Sequence, residues 1–155
     1  MTSDSTDFEN LGKALIDGTL TVFRANKGWA DQAVGQLPDE KLHVALDPNT
    51  NSIAVIMKHV AGNLLSRWTD FLTTDGEKPW RNRDDEFVDS FTGRDGLTAY
   101  WNSGRRQLFD SLDGLSAADL CKTRRSLPRG VSANFNQRVW GTGSFRSAGT
   151  GNDGA

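Results

Sequence analysis

Cysteine is almost absent from these 155 residues: Cys121 stands alone. No intrachain disulfide can form, which points to a reducing compartment such as the cytoplasm. With no histidine near it in sequence, Cys121 reads as a small packing residue rather than a nucleophile. Histidine is nearly as scarce, at His43 and His59. No stretch approaches the run of ~18 apolar residues that a membrane span requires. The opening MTSDSTDFENLGK has neither the basic start nor the apolar centre of a signal peptide. Neither sign of charge dominates, and a net charge of −2 argues against a polyanion binder, so no nucleic-acid partner is expected. Phosphate-loop, dinucleotide, HExxH and CxxC patterns are all missing. GTGSF and GTGND share only glycine with a phosphate loop, and no strand precedes them.

What is present is helical periodicity. Phe8, Leu11, Leu15, Gly18, Val22, Ala25 and Trp29 alternate steps of three and four, the spacing of a bundle seam, and predict a first helix over Thr6–Val34 with Trp29 as a core aromatic. Ser5 or Thr6 can cap it, and Gly12 and Gly18 leave room for a neighbouring helix. A connector over residues 36–50 follows, with a short turn or helical piece at Pro38-Asp39-Glu40 and a stop at Pro48. His43, in this connector, reads as a structural or surface group. Asn51 or Ser52 then caps a second helix whose stripe is Ile53, Ile56, Met57, Val60, Leu64, Trp68 and Phe71, ending near residues 73–76. A third helix is predicted over Arg94–Leu112, capped by Thr92, with Leu97, Tyr100, Trp101, Gly104, Leu108 and Leu112 on its apolar face. Ser116 to Asp119 reads as a capping box.

Two features bear on function. At ~100° per residue His59 falls at the edge of the second helix's stripe, on a flank shared with Ser52, Asn63, Ser66 and Asp70. That flank either lines a site or marks the border between core and solvent. Between Glu77 and Ser90 the chain is dense in both charges around Pro79-Trp80. One reading is an internally paired surface loop. The other is a lid in which Arg81 or Arg83 grips the carboxylate or phosphate of a small-molecule ligand and Trp80 supplies an apolar wall.

The run NSIAVIMKHVAGNLLSRWTDFLTTDGEKPWRNRDDEF resembles the corresponding segment of the DinB-like superfamily, in a branch of unknown function. The resemblance covers about residues 5–122, with HVAGN matching an HxAGN-like context and RNRDDEF an RxRDxEF-like run. It implies a four-helix bundle and a divalent metal of Zn, Ni or Fe type held by three ligands. His59 matches the ligand on the second helix; the other two are usually histidines one turn apart on the last long helix. Some relatives are thiol-dependent transferases or isomerases.

After Lys122 that pattern stops. Residues 124–155 hold five arginines against one acid, Asp153, with six glycines and no histidine, glutamate or cysteine. A change of reading frame near Thr123 and genuine divergence both fit such a tail. Leu127, Val131, Phe135 and Val139 allow one weak helix, best over residues 132–140, and the glycine-rich end is expected to be irregular and mobile. The reading is therefore an all-α, DinB-like four-helix bundle with the fourth helix degraded or missing. Its expected domains are a bundle over 1–123 and a partly disordered tail over 124–155. Its expected function is that of an inactive or weakened member of a metal-dependent family, metal binding being weak or lost. The alternative is a non-catalytic binding or dimer-forming bundle. A bundle short of one helix bares apolar stripes, so a homodimer is the expected partner.

Overall fold

The computed structural model describes residues 3–122, which fall within one compact unit. The expected weak helix over residues 132–140 and the irregular end lie outside these residues. The described chain is all-α: long helices α1 (Ser3–Gly35), α3 (Ile53–Trp68) and α4 (Arg94–Asp113), with single-turn helices α2 (Asp39–Leu42) and α5 (Ala117–Leu120). A 3-10 turn at Asp85–Phe87 interrupts the loop between α3 and α4. None of these helices is long and apolar enough to cross a membrane.

The tightest pair is α3 with α4, and small residues make it so. A Cβ on Gly104 would lie 2.7 Å from the carbonyl oxygen of Ala61, so the two backbones cross where neither helix carries bulk. The buried face of α3 is accordingly Ala54, Val55, Met57, Lys58, Ala61, Gly62 and Ser66. That differs from the expected stripe: Ile56 is exposed, while Ile53, Val60, Leu64 and Trp68 are only partly buried. Close approach of backbones selects small side chains for the centre and moves large ones to the margins. Ser52 caps α3 by accepting from the Val55 N–H at 3.2 Å. The helix stops at Trp68, earlier than expected, because Ser111 and Gln107 of α4 donate to the Trp68 carbonyl. Asp70 then turns the chain away with a φ of 49°.

On α4, Leu97, Trp101, Gly104, Leu108 and Leu112 are buried as expected; Gly93 rather than Thr92 is its N-cap residue. Two apolar clusters result. Leu42, Ala54, Met57, Leu97 and Trp101 pack with Ala30 and Val34, and Ile16 and Leu20 pack with Leu108 and Leu112. Arg94 ties the lower end together, donating to Asp39 at 2.5 Å and to the carbonyls of Val34 and Leu37.

The first helix corrects the expected seam. Its inward face is Gly12, Ile16, Leu20, Phe23, Ala30 and Val34, with Gly12 set against Ala117 of α5. The stripe Phe8, Leu11, Leu15, Val22 and Trp29 faces away from the core, Leu11 being 72 % and Trp29 67 % exposed. Trp29 is not a core aromatic. Both stripes have three-four spacing, about 120° apart on the helix, and the partner surface decides between them. The inward one is narrow enough at Gly12 to admit α5.

Candidate functional site

The chemistry-bearing residues gather where α3 faces the loop ahead of α4. His59 and Gly62 sit one turn apart on α3. Glu86, in the 3-10 turn, reaches into the notch between them: a Cβ on Gly62 would lie 2.5 Å from Glu86 Oε1. His59 donates from Nδ1 to Glu86 Oε2 at 2.8 Å. Arg81 closes the other side, donating from Nε to Oε1 at 2.8 Å and from a terminal nitrogen to Oε2 at 3.0 Å. Both side chains of that pair are almost sealed, Arg81 4 % and Glu86 6 % exposed. The hydrogen bonds that Arg81 gives to Glu86 raise its pKa above the ordinary value despite burial.

Lys58, the residue before His59, is also buried, and its ammonium holds the same loop. It donates to the Asp85 carbonyl at 2.6 Å, the Asp85 carboxylate at 2.7 Å, the Val88 carbonyl at 3.0 Å and the Ser90 hydroxyl at 2.8 Å. His43 pairs with Asp89 at 2.9 Å and Ser52 donates weakly to the same carboxylate. Phe87 stacks on the His59 ring with centroids 4.6 Å apart.

The sequence-predicted site residues are thus only partly brought together. His59 and Arg81 share one carboxylate. Trp80, next to Arg81 in sequence, is exposed and Arg83 is half-buried. Arg81 as a grip for an outside carboxylate would first have to release Glu86, because its two inner nitrogens already hold one. Glu86, Gly62 and Lys58 escaped sequence reasoning. A glycine inside a helix, one turn from a histidine, was the available signal, since helix propensity alone disfavours it by ~1 kcal/mol.

Chemically, the arrangement fixes a tautomer. With Nδ1–H given to Glu86, neutral His59 keeps its lone pair on Nε2, and the ring is 23 % exposed. Such a nitrogen can accept a proton or enter a metal's coordination sphere. Among the described residues no group of three His, Cys, Asp or Glu side chains could hold a metal ion. Both Glu86 oxygens are committed to Arg81 and His59.

Residues 10–135 match the model of a family described as protein of unknown function (DUF1572), and the chain belongs to that family. No curated protein matches the chain. No solved structure matches it either.

Proposed function

We propose that this member of the family is an inactive or weakened form of a metal-dependent, DinB-like enzyme of thiol-transferase or hydrolase type, in which His59 survives as a lone anchor. The observation that supports the reading is the His59–Glu86 pair. Metal-ligating histidines characteristically give their other ring N–H to a carboxylate, which fixes the ring and makes the ligating nitrogen more basic. His59 is held in that way with Nε2 left over. When bound with an open position, a Zn, Ni or Fe type ion would lower the pKa of a water or thiol and so supply a nucleophile.

The donor set of one copy does not complete such a site. Catalytic metal centres take three protein ligands, and His59 is one. The carboxylate beside it is neutralised by Arg81, and the sequence after Lys122 adds only Asp153. No catalytic step is therefore assigned, and metal affinity is expected to be low. Elemental analysis of protein purified without a histidine tag should find well under one metal per chain. Calorimetric titration with Zn²⁺ or Ni²⁺ should show weak binding that His59→Ala removes. One tightly held metal per chain, lost in His59→Ala, would overturn the weakened reading. Weak binding indifferent to His59→Ala would remove His59 from it.

A further inference from the structure

The outward stripe of α1 is left without an explanation by any role for His59. We infer that it is the interface through which two copies of this chain associate, in an antiparallel pairing of their first helices. Three observations carry this. The first is pattern: Phe8, Leu11, Leu15, Gly18, Val22, Ala25 and Trp29 keep heptad spacing for three turns of seven, the pattern of a helix seam rather than of scattered surface residues. Yet nothing among the described residues covers the large ones.

The second is symmetry. The stripe is nearly palindromic about Gly18. An antiparallel two-fold axis there places Phe8 of one copy beside Trp29 of the other and Leu15 beside Val22, aromatics at the ends and aliphatics within. Among the described residues a Cβ added at Gly18 would meet nothing within 4 Å, which leaves room there for a second backbone. A two-fold interface must be self-complementary, and this stripe is.

The third is charge and area. The positions flanking the middle of the seam are small or neutral, namely Ala14, Thr19, Thr21, Asn26 and Gly28, and carboxylates appear only towards its N-terminal end, at Asp4 and Asp7. The charged residues Lys13, Asp17, Arg24, Lys27 and Asp31 are paired within the chain on other faces. With open aromatics of ~150–250 Å² and aliphatics somewhat smaller, the five exposed side chains leave roughly 600 Å² of apolar surface per copy. Two such faces would bury about 1,200 Å², the lower edge of stable interfaces, and one left open stands at about the upper end of the apolar patches that monomers expose.

Sedimentation velocity on the full chain at micromolar concentration tests this. Wild type should sediment as a dimer. Leu15→Lys and Trp29→Lys should each halve the mass while retaining the helical circular dichroism; Leu46→Lys, at an exposed residue outside the stripe, should leave the dimer intact. In a Cys121→Ser background, Gly18→Cys should be joined to its counterpart by a short bismaleimide, and Leu46→Cys should not. A monomeric wild type, or a dimer indifferent to both stripe variants, overturns the inference. So does a monomer in which Leu15→Cys resists thiol labelling, which would assign the stripe to another segment of the same chain.

Discussion

The inner side of α3 and the outer side of α1 invert the usual placement of side chains. On α3, a lysine, a serine and the carboxylate that leans on Gly62 are buried, and the closest crossing with α4 is made at Ala61 and Gly104. On α1, a phenylalanine, two leucines, a valine and a tryptophan are exposed. The polar groups are inside because each has a partner: Lys58 has four acceptors, and Glu86 has Arg81 on one side and His59 on the other. Burial costs a polar group little when its hydrogen bonds are replaced. The apolar groups on α1 are outside because the surfaces that α3, α4 and α5 offer are already filled by the opposite face of the helix. What an element meets, rather than the size or polarity of its residues, settles which side turns inward.

The largest expected effect comes from breaking the polar half. Arg81→Ala strands a buried carboxylate and Glu86→Ala strands a buried guanidinium, and removing one partner of such a pair costs ~3–5 kcal/mol. Chemical denaturation should show losses of that order for each single variant, and the double variant should lose much less than their combined effect, because the two share one interaction. Losses below ~1 kcal/mol would mean that the pair behaves as a surface ion pair and that the loop is not fixed by it.

A glycine pair sharpens the comparison at smaller scale. Gly104→Ala forces a methyl group against the Ala61 backbone, where no flexible side chain can yield. Overpacking of this kind costs ~1–3 kcal/mol. Gly28→Ala, on α1 with open space above it, should instead stabilise the chain by ~0.5–1 kcal/mol through helix propensity. Thermal melts of the two variants should therefore move in opposite directions. If both fall, α1 is more crowded at Gly28 than its described surroundings allow.

How much of this was legible in the sequence differs between the same two regions. The extents of α1 and α4 and the all-α class follow from periodicity; their caps do not, since Ser5 and Thr6 lie inside α1 and Gly93 stands where Thr92 was expected, whereas Ser52 and the Ser116–Asp119 pair cap where their residue types suggest. The facing of α1 does not follow, because Ile16, Leu20, Phe23 and Val34 are spaced as regularly as Leu11, Leu15, Val22 and Trp29. Only the second surface distinguishes them. At the candidate site, His59 and RNRDDEF stand out singly, but nothing local says which of Asp84, Asp85 and Glu86 turns inward across a separation of 27 residues. That choice is made in three dimensions by the notch at Gly62 and by Lys58 claiming Asp85.

The smallest effect is also the most site-specific, because Tyr100 is the only tyrosine in the sequence. Burial raises its phenol above the ordinary value of about 10, the Glu86 carboxylate raises it further, and the Arg81 guanidinium opposes both. An alkaline titration followed by phenolate absorbance should place its midpoint above that of a free tyrosine. The sign for stability follows from the direction. A phenol that holds its proton more tightly when folded contributes stability that is fully present below the unfolded pKa and lost as pH rises through the folded one. Its neighbours should move the midpoint in opposite senses: Glu86→Gln removes a raising charge and brings it down, while Arg81→Gln removes a lowering charge and takes it up. Both measurements are made where circular dichroism still shows folded helix. A midpoint at the free-tyrosine value, or one shifted the same way by both variants, would mean that Tyr100 does not sense the Arg81–Glu86 pair and that the packing of α4 against the loop is looser than drawn.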